Sequence, residues 1–166
     1  MTKLLLRSLV VLLLLAVAGW LCMPLFPTAE GHSPKAIYQR LEDLAYNKSM
    51  GDLFDELKTA GEAHIDLDHR NVSGLRPLDL AASRDQNDAA AAFIVAGANI
   101  NAADANGDTV MHIAVRHHAL HVLKELRRFM PDLGLRNKDG QTAIDLAHQM
   151  GDDNAVTMLT APLSSL

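Results

Sequence analysis

Two hydrophobic regimes run along this chain. Residues 8–26 contain no charged side chain, an apolar run of nineteen residues that approaches the ~20 a helix needs to cross a bilayer. From Ser33 onward the apolar positions come in short bursts at helical spacing. Ile37, Leu41, Leu44 and Ala45 recur at i, i+4, i+7 and i+8, one face of a helix. Ser33 and Pro34 supply an N-cap and a first-turn proline for it. A second helix is expected over 52–59, with Leu53, Phe54 and Leu57 inward and Gly61 ending it.

Further along, the bursts repeat. The segments NVSGLRPLDLAA from Asn71, DANGDTVMHIAV from Asp104 and NKDGQTAIDLAH from Asn137 align on Gly74, Gly107 and Gly140, spaced 33 and 33. Leu78, Met111 and Ile144 keep step, as do Leu80, Ile113 and Leu146, and then Ala81, Ala114 and Ala147. A register held over two steps marks an internal repeat of one supersecondary unit. Thr109 and Thr142 suit the N-cap of a first helix, with His112 and Asp145 at N3, where an acid meets the positive end of the helix dipole. Pro77 fits the first helical position. Arg76 is a poorer cap, so the helix it opens is expected to fray unless Asp79 compensates. The three glycines mark turns in which a positive φ is called for, and the three alanines are small where paired helices must approach closely.

These segments resemble ankyrin repeats, whose pattern runs D-x-x-G-x-T-P-L-H-x-A-A, through a second helix, to G-A-x-x-N. Gly97-Ala98-Asn99-Ile100-Asn101 matches that ending; Thr109, His112 and Pro77 carry the threonine, histidine and proline positions. Arg76 departs from the threonine, Val110 and Ala143 from the proline, Asp79 and Asp145 from the histidine, and Pro131-Asp132-Leu133 from the closing Gly-Ala. The resemblance covers about residues 66–159 and implies an all-α solenoid of about four helix-turn-helix pairs joined by short hairpin loops. Repeats are expected at about 67–103, 104–136 and 137–160. The pair at about 34–66 falls outside the register, since 33 residues before Gly74 stands Leu41. It is expected to be a degenerate cap covering the apolar end of the stack, within a domain spanning 34–166.

The amino-terminal run then changes the setting. Lys3 and Arg7 precede it, which would hold the front end in the cytoplasm and export the rest of the chain. Ala16-Val17-Ala18 suits signal-peptidase cleavage after Ala18, whereas eight more apolar residues suit a retained anchor; residues 1–26 are therefore a signal peptide or a membrane anchor. Lipidation at Cys22 is disfavoured by Gly19-Trp20-Leu21, which lack the small pair expected before a lipidated cysteine. Residues 27–33 form a linker rich in Pro, Gly and Ser. The location expected is the periplasm, soluble or tethered to the inner membrane by residues 8–26.

Composition removes several functions. The net charge is −5, and setting aside Lys3 and Arg7 leaves −7, a poor balance for nucleic acid or anionic lipid surfaces. Cys22 is the single cysteine, so neither an intrachain disulfide nor a cysteine metal cluster can form. The acid pairs Asp66/Asp68, Glu42/Asp43 and Asp152/Asp153 fall on turns or exposed faces, away from the cleft that acid–base catalysis needs. No nucleophile elbow, triad or phosphate loop occurs, and no enzyme activity, cofactor or metal is expected. The histidines of RHHALH invite a metal or small-molecule reading. A turn between His117, His118 and His121 deprives their spacing of helical geometry, and no H-E-x-x-H accompanies them. His112 sits at the family's scaffold histidine.

What remains is surface. The resemblance implies a monomeric protein-binding module whose hairpin tips and first helices meet a protein partner. The residues expected to do so are Leu75, Arg84, Asn106, Asp108, Arg116, His117, Asp139 and Gln141. The tips also offer Val72, Ser73, Ala105 and Lys138, and the first helices Ser83, Gln149 and Met150. By analogy with short exported bacterial ankyrin proteins, the partner expected is an exported enzyme such as a catalase; one alternative is a periplasm-acting toxin that this chain neutralises as an immunity protein, and another is metal or small-molecule binding through His117, His118 and His121.

Overall fold

The computed structural model describes residues 33–47, 50–62 and 64–162. The expectations for the leader and linker, 1–26 and most of 27–33, lie outside them. Among the described residues there are eight helices and no strand: α1 Pro34–Asn47, α2 Met50–Glu62, α3 Pro77–Ser83, α4 Asn87–Val95, α5 Val110–Arg116, α6 Leu120–Arg127, α7 Ala143–Met150 and α8 Asp153–Thr160. Among the same residues no helix is long and apolar enough to cross a membrane.

The chain divides into two units, the second beginning at Ile37. In the first, the described part is the start of α1, where Ser33 Oγ accepts from the Ala36 N–H at 3.3 Å, the cap that the sequence calls for.

In the second unit the helices stack in two rows. First helices α3, α5 and α7 pack in sequence, and second helices α2, α4, α6 and α8 form the other row, with α3 against α4, α5 against α6 and α7 against α8. The repeat dictates the core. Ala81, Ala114 and Ala147 are fully buried where the rows meet, and Phe93, Met111, Leu123, Leu126 and Leu159 fill the space between them. Each such side chain contributes about 1.5–3 kcal/mol on leaving water. In the cap pair Ile37 and Leu41 are fully buried, and Leu53, Leu57 and Ala60 form the inward row of α2. Phe54 corrects the sequence reading: it is 55% exposed, because the row at i, i+4 and i+7 from Leu53 leaves residue 54 a hundred degrees round the helix. Gly61 lies in the last turn of α2, which runs one residue further to Glu62; beyond it, His64 has a φ of +53°.

That residue extends the register upstream. His64, Gly97 and Met130, 33 apart, all adopt left-handed backbone (φ 53°, 108° and 51°), as do Asp85, His118 and Gly151 at the helix–helix turns (54°, 52° and 68°). Asp66, Asn99 and Asp132 come next in the same phase. Each accepts through Oδ1 from the N–H two residues on, at 2.9 Å. The cap pair therefore departs from the 33-residue spacing in its first half and rejoins it at its end. Tyr38 pins that end, donating from its hydroxyl to Asp66 O at 2.8 Å and stacking on His69 with ring centroids 4.4 Å apart.

Candidate functional site

Each repeat opens on a hairpin organised by one side chain. Oδ1 of Asn71 accepts from the N–H groups of Ser73 and Leu75, that of Asp104 from Asn106 and Asp108, and that of Asn137 from Asp139 and Gln141, all between 2.7 and 3.1 Å. Asn and Asp combine a short reach with an acceptor for this turn, which Ser and Thr make more weakly. The glycines close it with φ of 77°, 78° and 75°. With the turn braced from within, the tip side chains Val72, Ser73, Ala105, Asn106, Lys138 and Asp139 all face solvent.

The residues expected to meet a partner divide into two groups. Asn106 and Asp139 are exposed at the tips; Arg84 and His117 are exposed as the C-caps of α3 and α5. The others are drawn into the scaffold to differing degrees. Asp108 is 3% exposed, with Oδ1 accepting from Asn137 Nδ2 at 2.9 Å and Oδ2 from Arg116 Nη2 at 2.5 Å; Arg116 keeps half its side chain in solvent. Gln141 is half-buried and donates from Nε2 to Gln149 Oε1 at 2.5 Å. These two pairs occupy the same register positions, tying a hairpin to the end of its first helix. At the equivalent position of the preceding repeat stands Leu75, half-buried and without a polar atom to give.

The helix starts use three different N-cap and N3 pairs. Thr142 and Asp145 make a reciprocal box: Asp145 Oδ2 accepts from the Thr142 N–H at 3.0 Å and Thr142 Oγ1 from the Asp145 N–H at 3.1 Å. In the repeat before, His112 Nδ1 accepts from the Thr109 N–H at 3.2 Å, which assigns the ring proton to Nε2; that nitrogen donates to Gln141 O in the next repeat at 3.0 Å. His112 is a scaffold group joining two repeats.

At Arg76 the compensation by Asp79 that the sequence leaves open is realised. The start of α3 is not loose there: Arg76 is 0% exposed and grips Asp79 through two parallel bonds, Nε to Oδ2 at 2.9 Å and Nη2 to Oδ1 at 2.7 Å. Its Nη1 donates to Asn99 O at 3.0 Å and Asp68 Oδ1 at 3.2 Å, and Asp68 in turn accepts from the Asn99 N–H. Burial would lower the Arg76 pKa, but the hydrogen bonds and charge of Asp79, and then Asp68, outweigh it and hold the group above its ordinary value. Threonine and histidine are replaced here by a fork and a carboxylate, which fit each other bidentately.

The histidine cluster disperses. His118 Nδ1 lies 2.7 Å from Asp152 Oδ2 in the following repeat, His121 Nδ1 lies 2.5 Å from Asp85 Oδ2 in the preceding one, and His117 is exposed. Among the described residues no three His, Cys, Asp or Glu side chains converge on a common point suited to a metal. Asp152 also caps α8, accepting from the Ala155 N–H at 3.0 Å. Burial pushes its pKa up, yet the bond from Ala155 and then the bond and charge of His118 pull it below the usual carboxylate value. A carboxylate depressed in the folded state gives stability that is fully present above its unfolded value of ~3.9 and is lost as pH falls through the lower folded value. Asp152→Ala is expected to cost about 0.5–2 kcal/mol at pH 7. The gap between variant and parent should narrow in melts carried down to pH 3; a gap unchanged with pH would contradict the role given to this carboxylate.

The sequence profile described as "Ankyrin repeats (3 copies)" matches residues 78–164, 87 of the 166 residues. A protein of Rickettsia bellii (strain RML369-C), named as an ankyrin repeat protein, is 38% identical over 64 residues, covering 39% of this chain and 35% of that relative. The matched part is about a third of that relative's length.

Proposed function

From the premise that this chain belongs to the ankyrin repeat family, whose repeats form a protein–protein interaction module and are generally non-enzymatic, we propose that it is an exported binding protein. It engages a protein partner on the face made by its hairpin tips and the ends of its first helices. One observation supports this most: the second and third hairpins are braced from within by Asp104 and Asn137 and still hold Asn106 and Asp139 in solvent, beside exposed Arg84, Arg116 and His117. Internally braced loops present side chains with little ordering cost on binding. The mixture of polar and charged groups suits a specific contact that forms and dissociates, rather than an obligate apolar interface.

Export is read from the charge and hydropathy of residues 1–26, with the chain acting in the periplasm, free or tethered. An exported enzyme such as a catalase is the partner favoured by the likeness to short exported bacterial ankyrin proteins. Affinity capture of the tagged full chain from its native envelope, with mass spectrometry across a salt series, tests the reading. One protein enriched at every salt concentration is expected; an empty capture would remove the binding role. A deletion strain that is sensitive to peroxide would support the enzyme partner, and one that is indifferent would count against it.

A further inference from the structure

The two junctions between consecutive hairpins differ. Between the second and third, the Lys138 N–H donates to Asn106 O at 2.9 Å and Asn137 Nδ2 donates to Asp108 Oδ1 at 2.9 Å. A Cβ placed on Gly107 would stand 3.0 Å from Lys138 N. Moving one repeat upstream, the equivalent groups are the Ala105 N–H, Ser73 O, Asp104 and Leu75. Among the described residues Ala105 N and Ser73 O have no hydrogen-bond partner in the protein. A Cβ on Gly74 would meet nothing within 4 Å, so the first tip stands at least about an ångström further from its neighbour. The sequence supplies the cause. The Asp104 side chain has no N–H to give and the Leu75 side chain no oxygen to receive it, so the side-chain tie of the later junction cannot form. Arg70 crosses lower down instead, from Gly74 O to Ala103 O.

We propose that this open first junction is where an extended, uncharged segment of the protein partner docks. The inference rests on the protein-binding reading above and locates it. A peptide group laid across the two tips would donate its N–H to Ser73 O and accept from the Ala105 N–H, completing the bonds that the later junction makes internally. The surroundings choose the side chains. Val72, Ser73, Leu75, Ala105 and Asn106 carry no charge, Val72 is wholly exposed, and Leu75 is half-buried beside it in the same loop. An apolar side chain on the partner therefore covers Val72 and Leu75, where a charged one would lose solvation. The third tip, with Lys138 and Asp139, has no such character.

The test uses the full chain, produced in its native host with a benzophenone-bearing amino acid placed at Val72 or, separately, at Asp139. The first background is otherwise wild type. The second carries Leu75→Asp with Asp104→Asn, which installs the side-chain tie of the later junction, and is checked by slower hydrogen exchange at the Ala105 amide. The third carries Leu75→Glu, which adds an uncompensated charge without needing closure. An adduct from position 72 that falls at least tenfold in both variants, with the linked partner peptide uncharged around an apolar residue, is the expected result. If the double variant leaves exchange at Ala105 unchanged, Leu75→Glu alone decides. An adduct from position 139 but none from 72, or a position-72 adduct indifferent to the variants, overturns this inference and leaves the binding role standing; the two tips are then bridged by solvent only. Adducts from neither position overturn both.

Discussion

Replacing Arg76 with Met is expected to destabilise the protein by about 3–5 kcal/mol, the cost of leaving one member of a buried ion pair without the other. Asp79 is fully buried and would keep only the Arg76 backbone N–H at 3.1 Å; Asn99 O and Asp68 would lose their shared donor. The loss should reach beyond α3, because Asp68 belongs to the end of the cap pair's return and Asn99 to the loop leading into the next repeat. Denaturant melts of Arg76→Met and of the double variant Arg76→Thr/Asp79→His separate two explanations. The double variant installs the cap and N3 pair that Thr109 and His112 already use, in which the ring's second nitrogen reaches a carbonyl of the following hairpin. It should recover most of the loss, since no fully buried charge then stands unpaired; Asp68, 30% exposed, keeps the Asn99 N–H and solvent. A single variant within about 1 kcal/mol of wild type would contradict the account of this node.

The second large effect is a contrast between three glycines that the sequence makes look alike. Gly74, Gly107 and Gly140 share a left-handed φ near 77°, so alanine at any of them carries the ~1–2 kcal/mol that this region costs a side chain, offset by the lower entropy of the unfolded chain. At Gly107 the new Cβ also meets the backbone of Asn137 and Lys138 at 3.0–3.2 Å, and backbone held by the Lys138 to Asn106 bond cannot step aside cheaply. Gly107→Ala should therefore lose about 1–3 kcal/mol more than Gly74→Ala or Gly140→Ala, the usual range for overpacking. Equal losses at the three sites would show that the second and third hairpins are not in close contact.

Much of the fold is legible in the sequence, for a physical reason: a repeat writes the same local solution several times. Gly74, Gly107 and Gly140 with Ala81, Ala114 and Ala147 announce the hairpins and the close helix pairs, and the helix bursts place the core. Phe54 misleads because one apolar residue next to an inward row satisfies composition while missing the phase of the helix. The register at His64 is hidden because His, Gly and Met share a left-handed backbone there without sharing a side chain. Arg76 is half legible: the Arg-x-x-Asp pair is visible as a possible compensation by Asp79, while Asp68 eight residues earlier and Asn99 O are brought to it only by folding. Among the residues expected to meet a partner, Asp108 shows the limit of position-by-position reading. Its hairpin location is right for a contact, yet its carboxylate is committed to Asn137 and Arg116. The histidine run likewise dissolves into separate bonds to Asp85 and Asp152 once the turn through His118, at φ +52°, sends the rings apart.

The central claim is that the hairpin and first-helix face holds a protein partner. It is tested most directly by quantitative affinity capture with two charge-altered forms of the tagged full chain. One carries Arg84→Glu, His117→Glu and Asp139→Lys on that face; the other carries Asp88→Lys and Lys124→Glu on the exposed surface of the second-helix row. With both forms matching the parent in thermal stability, the first should recover at least tenfold less partner and the second an unchanged amount. Equal recovery by the two forms, or loss only in the second, would contradict the account.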